Sequence, residues 1–482
     1  MKFSVNGLQI LCLALLAMSN IAGAQSWSPL QHQPCSPGQP CFSPGTALLL
    51  TDGTVFVQGT FTGNWYRLTP DDSGSYVNGT WSQAASLPAG YGPLYFASAV
   101  LPDGRVIVEG GEDNYGASPL ASTTLGAIYS PISDEWTQVP PPHGWCCISD
   151  AQSAVLANGQ FMLANAYTEQ EALLNATTLT WTPTGRGKAD INDEEGWTLL
   201  PNKQVLTVDA RNGTNSEVYI PASGIWQSAG STIVPLAAGL EMGPAVLRPD
   251  GTVFATGASE HTAIYDSSTG TWSVGPDFPV SAQGQLSIGD GPAALLINGN
   301  VLCAASSSAG PPSYFFEFDG TSLNPVDGPP ETSVELPFES RMLVLPTGQI
   351  FFVGATTNIE IYTPSGTYNP DWAPRIQKYP ASVSPGGSYV VEGHHFNGLS
   401  QGAAYGDDAQ SATNYPLVRI TNLSTGHVFY SRTHDHSSMA VAFGGLVSTH
   451  FDVPAGQETG PSSLVVVANG IPSEPVAINV DQ

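Results

Sequence analysis

Seven residues recur at one position of an internal repeat, each nine residues ahead of a turn: Pro44, Tyr95, Asp150, Glu194, Met242, Asp290 and Glu339. Four of them are carboxylates, and Glu241 stands beside Met242, in a chain where Asp and Glu make up only 40 of 482 residues. Carboxylates held close together repel, so they take up protons or recruit a cation. Hard cations such as calcium favour cages of oxygen. The recurrence therefore predicts an acidic ring, with Asp150, Glu194, Glu241 and Asp290 binding substrate and Glu339 serving as metal ligand and catalytic group.

A second cluster reads Arg432-Thr433-His434-Asp435-His436. On a strand, residues two apart face the same way, and neutral imidazoles so arranged ligate transition metals. His434 and His436 are thus candidate metal ligands, with His434 also catalytic and Arg432 binding substrate; the bland reading is a polar loop with two surface histidines. His394 and His395 would face opposite sides of a strand. Asp407 and Asp408, in YGDDAQ, lack the spacing of an EF-hand loop. No nucleophile elbow, HExxH, phosphate loop or dinucleotide fingerprint is present.

The elements that would position these residues come from the repeat. Its copies run apolar strand, tight turn, apolar strand, as in TALLLTDGTVFVQG and PAVLRPDGTVFATG, with turns at Gly53, Gly104, Gly159, Lys203, Gly251, Gly299 and Gly348. Asp-Gly and Asn-Gly favour hairpins because both central residues must accept positive φ; Lys203 departs from that rule. The spacing matches the kelch-type propeller period. Tyr129 and Trp136, Tyr219 and Trp226, Tyr265 and Trp272, and Leu174 and Trp181 share a seven-residue offset, which predicts an outer hairpin whose ring packs between blades. The fold class is all-β: a seven-bladed kelch-type β-propeller over residues 25–370, then an immunoglobulin-like β-sandwich over 371–482. In a propeller the first strand of each blade lines the central channel, so the recurring acids would ring one mouth.

Lys2, the apolar run Ile10 to Met18 and Ala22-Gly23-Ala24 read as a signal peptide over residues 1–24, implying secretion. The net charge of −27, with 13 Lys and Arg, argues against nucleic acid and anionic membranes as partners. The expected partner is a carbohydrate or other small ligand, and the expected state a monomer. Cys35 and Cys41 are close enough in sequence to close a small disulfide loop in an oxidising compartment. Asn78, Asn175, Asn212 and Asn422 open glycosylation sequons.

In its layout the chain resembles galactose oxidase and glyoxal oxidase. The resemblance implies that a loop of the second domain reaches the propeller axis with a copper-binding histidine in a Thr-His pair, like Thr433-His434. It also implies that Tyr95, ahead of LPDG, occupies the place of the radical tyrosine. Phe338-Glu339 stands where the family carries Tyr-His, and Pro44 where it carries the crosslinked cysteine. The expectation is a secreted galactose-oxidase-like protein with a rebuilt acidic axial site, binding a divalent cation (calcium or copper) and acting on an extracellular carbohydrate or small alcohol. Two alternatives stay open: a non-catalytic glycan-binding or adhesion propeller, and a copper-dependent alcohol or aldehyde oxidase with an altered ligand set.

Overall fold

The computed structural model describes residues 24–308 and 310–482; the expected leader, apart from Ala24, lies outside the described residues. Each repeat copy forms an antiparallel hairpin. The first strands are Pro44–Leu49, Ala97–Val100, Ser153–Val155, Thr198–Leu199, Met242–Leu247, Ala293–Leu295 and Arg341–Val344, each paired with the strand after its turn. Lys203 adopts the same left-handed backbone as the turn glycines, with φ 71°, at a cost of roughly 1–2 kcal/mol for a residue carrying a Cβ. The fourth turn thus keeps its shape without glycine.

Six of the hairpins extend into four-stranded sheets, and the one starting at Ala293–Leu295 belongs to a seven-stranded sheet. The first strands stand side by side: Arg341–Val344 flanks both Pro44–Leu49 and Ala293–Leu295, and Pro44–Leu49 flanks Ala97–Val100. The result is a propeller-like arrangement of sheets around an axis. Ser26–Pro29 closes the circle by joining the sheet of Arg341–Val344, with Trp27 opposite Tyr362.

The seven-residue aromatic offset has a geometric meaning. Tyr129 lies directly opposite Trp136, Leu174 opposite Trp181, Tyr219 opposite Trp226 and Tyr265 opposite Trp272. Each indole N–H then donates back to the preceding repeat: Trp136 to the Ala85 carbonyl (2.9 Å), Trp181 to Pro140 (2.7 Å), Trp226 to Glu171 (3.0 Å) and Trp272 to the Ser216 hydroxyl (2.8 Å). Each bond contributes about 1 kcal/mol, and together they fix the rotation of one sheet against the next.

Residues Arg375 to Val480 build a separate, curled nine-stranded sheet domain around Val391, Phe396, Ile420, Phe451 and Leu464. It sits at the turn end of the propeller-like part. Thr433 N–H donates to Thr51 (3.1 Å), His436 N–H to Pro102 (3.1 Å) and Met439 N–H to Ala157 (3.0 Å). Gly53 permits this docking: a Cβ there would lie 2.4 Å from the Tyr430 ring. Residues 401–415 leave the domain and run along the axis. Ala403–Ala404 pairs with Ala293–Ala294, Leu199 N–H donates to Gln401 (2.7 Å), the Ser411 hydroxyl donates to Ala47 (3.1 Å), and Tyr415 donates to Leu49. Three first strands grip one segment, and its tip is carried to the opposite mouth.

Candidate functional site

At that mouth lies a cavity of about 360 Å³ lined by Tyr95, Glu112, Asp150, Glu194, Glu241, Gly289, Asp290, Phe338, Asp407 and Asp408. Seven of these ten residues are carboxylates. Asp150, Glu194, Glu241 and Asp290 arrive from the ends preceding successive first strands, as their recurrence predicts. Asp407 and Asp408 arrive on the axial segment, and Glu112 follows the second hairpin. Tyr95, Glu194 and Asp290 have positive φ, at 50°, 61° and 41°. Strained backbone of this kind in residues with a Cβ concentrates at functional sites, and here it turns the side chains toward the axis.

The carboxylates are close enough to share an ion. Single oxygens of Asp150, Glu194 and Asp407 lie within 4.8 Å of one another, as do those of Glu194, Glu241 and Asp290. Asp408 is 1% exposed. Its Oδ2 accepts from Phe96 N–H at 2.9 Å, while its Oδ1 has no partner. Asp290 Oδ1 is likewise buried without a partner. Burial raises the Asp150 carboxyl to about 7, with Glu112 and Asp408 adding to the rise. Burial and the neighbouring Asp290, Glu241 and Asp150 raise Glu194 to about 10. Asp290 and Asp407 are pushed well above the usual range, first by burial and then by their acidic neighbours. The pocket holds more negative charge than a dry site tolerates, so it draws in protons or a cation.

Arg341 is the counterweight. Its guanidinium lies 3.9 Å from the Tyr405 ring centroid and 5.9 Å from that of Tyr95, and it donates to the carbonyls of Phe338 (2.9 Å) and Ser340 (2.8 Å). The Tyr95 hydroxyl is pushed up to about 12, mainly by burial. Tyr95 and Phe338 also line an adjoining cleft of about 170 Å³, which includes Pro44, Thr46, Glu339 and Arg341.

Several expected site residues lie elsewhere. Glu339 sits on an exposed short turn, Pro337–Glu339, and lines the adjoining cleft rather than the acidic pocket. His434 ends the strand Val428–His434, which pairs with Val447–Asp452. Its Nδ1 meets Asp435 at 2.8 Å, its Nε2 meets Asp452 at 3.2 Å, and its ring stacks on His450. This pairing holds it at the turn end. Glu339 precedes the first strand Arg341–Val344, at the end away from its turn, and lines a cleft that does not include His434. Asp435 then takes φ 52°, which breaks the strand alternation. His436 consequently turns inward, buried against Thr449 at 2.8 Å and lowered to about 3 by burial, instead of sharing a face with His434. Arg432 pairs with Asp452 at 3.2 Å and donates to the Asp103 carbonyl, joining domain to turn rather than binding a ligand in the pocket. Cys35 and Cys41 are bonded.

Sequence reasoning missed Glu112, Arg341, Asp407 and Asp408. The last two stand in YGDDAQ, where the paired acids were the available signal. The copper-radical ligand set does not fit this pocket: among the described residues no histidine or cysteine lines it, and an all-oxygen donor set suits hard cations.

The structure is distantly similar to a fungal alcohol oxidase of the AA5 family in complex with copper, at 14% identity over 92% of this chain and 85% of that one, with a TM-score of 0.44. Catalytically inactive virginiamycin B lyase from Staphylococcus aureus with quinupristin is similar at 8% identity over 70% of this chain and 98% of that one, with a TM-score of 0.49. YjhT is similar at 14% identity over 61% of this chain and 99% of that one, with a TM-score of 0.41. No family model and no curated protein matches the chain. No helix among the described residues is long and apolar enough to cross a membrane.

Proposed function

We propose that the chain is a secreted protein whose axial acidic pocket binds a hard divalent cation, calcium in preference to copper, and offers it to a hydroxylated ligand, a carbohydrate or small alcohol. The observation that carries this reading is the convergence of seven carboxylates on one cavity, with a buried, unpartnered Asp408 oxygen among them. Calcium takes six to eight oxygen ligands in flexible geometry; the two triplets share Glu194 and offer five carboxylates between them, which leaves positions for water or a ligand hydroxyl. In the same reading the seven-stranded sheet contributes the remaining blade of a seven-bladed kelch-type ring. The domain after about residue 370 is immunoglobulin-like, as in galactose oxidase and glyoxal oxidase. Seven successive hairpins and an axial segment from the second domain support that layout.

The test is metal analysis and calorimetric calcium titration of the purified protein, with Glu194→Gln and Asp408→Asn alongside. Retained calcium, lost in both variants, is the expected result. A protein that neither retains nor binds calcium fails the proposal. If calcium leaves the protein unaffected and copper loading yields hydrogen peroxide from alcohols, the altered copper oxidase replaces it.

A further inference from the structure

A second cavity, of about 450 Å³, lies away from the axis. Its walls include Pro142, Trp145, Trp181, Glu169 and Glu171. Trp181 is one of the repeated indoles that join neighbouring sheets, whereas Trp145 belongs to no repeat position and comes from the connection after the second sheet. The cavity therefore pairs a structural indole with an additional one.

One polar group in the lining is unusual. Glu171 is 1% exposed. Its Oε1 accepts from the Trp226 indole at 3.0 Å, while its Oε2 has no partner. Gly185, at φ +76°, leaves room for that oxygen: a Cβ there would lie 1.5 Å from it. A buried carboxyl oxygen without a partner is costly, so an apolar occupant would preserve the penalty and a hydroxyl-bearing one would remove it. Of Arg186 and Lys188, both in the lining, the lysine is fully buried and already held by Glu195 (2.8 Å) and Glu217 (3.0 Å). Arg186, exposed at the rim, is balanced in the lining by Glu169 and Glu171, so the cavity carries no net positive charge to select an anion, and the overall charge of −27 opposes one.

We propose that this cavity is a binding site for a neutral oligosaccharide. Indole faces pack against the apolar face of a pyranose ring, and the Glu171 oxygen meets its hydroxyl edge; apolar walls with a few placed polar groups are the usual makeup of a small-ligand site. The site is independent of the axial pocket and needs no cation.

Tryptophan fluorescence and saturation-transfer NMR on the full chain would test this, with cellohexaose, xylohexaose, laminarihexaose and mannohexaose as probes, in the presence of EDTA. At least one hexaose is expected to bind, and Trp145→Ala to weaken it about tenfold, the loss of one aromatic contact. Glu171→Gln, which keeps the shape and alters the hydroxyl partner, is expected to weaken it as well, which guards against a misfolded Trp145 variant. Failure of every probe at millimolar concentration overturns the proposal. So does binding that survives both substitutions, or that requires calcium, which would assign the glycan to the axial pocket instead.

Discussion

Raising the pH should destabilise the cation-free protein, and calcium should reverse the effect. Asp150 titrates ordinarily near 3.8 and is raised to about 7 in the fold. At 1.36 kcal/mol per pH unit, that displacement is on the order of 4 kcal/mol. The sign follows from linkage: a carboxyl whose folded pKa exceeds its unfolded one favours folding fully below the unfolded value and loses that contribution as pH rises through the folded value. The loss from Asp150 therefore falls between about pH 4 and about pH 7, and Glu194, raised to about 10, extends it upward. A cation replaces those protons. At a hundred times its Kd it stabilises by about 2.7 kcal/mol. With an unfolding entropy of about 2.1 cal/mol/K per residue, a chain of this length changes by about 1 kcal/mol per degree, so the midpoint rises by about 3 °C. Circular dichroism melts at about pH 5 and about pH 8, with calcium or EDTA at matched ionic strength, measure this directly. The calcium shift should be clear at the higher pH and smaller at the lower, where protons compete. Equal shifts at both, or none at either, would refute the reasoning.

Other consequences are separately measurable. Asp408→Asn should weaken calcium at least about tenfold in calorimetry while leaving the far-ultraviolet spectrum unchanged, since even outer-shell changes at metal sites cost that much. Arg341→Met removes a buried cation set among acids and should cost about 3–5 kcal/mol in chemical denaturation, more at high pH than at low; a neutral effect would remove Arg341 as the counterweight. Native alkylation followed by peptide mapping should tag Cys146, which is exposed, and spare Cys303, which is buried with its thiol pushed up to about 12.

The repeat made one half of the pocket legible. A nine-residue offset from seven turns identifies Tyr95, Asp150, Glu194 and Asp290 because radial symmetry converts equal sequence position into spatial convergence. The Tyr-Trp offset marks the inter-sheet contacts for a related reason: it places the two rings directly opposite on paired strands. Asp407 and Asp408 escaped because nothing local to YGDDAQ says that the segment threads the axis; pairing of Ala403–Ala404 with a strand over a hundred residues earlier decides that. His434 is the converse case. Its neighbours in sequence suggested a ligand loop, but pairing with Val447–Asp452 commits it to the sheet domain. Arg341, two residues past the repeat position, became visible only once the surrounding tyrosines were in place.

In the function proposed above, carboxylates from the ring and from the axial segment hold one hard cation site. Anomalous diffraction from crystals of the full chain grown with terbium in place of calcium tests it most directly. A peak bounded by Asp150, Glu194 and Asp407 is expected, at oxygen distances near the calcium range of about 2.3–2.6 Å. A peak beside His434 and Asp452, or none in the acidic pocket, would contradict it.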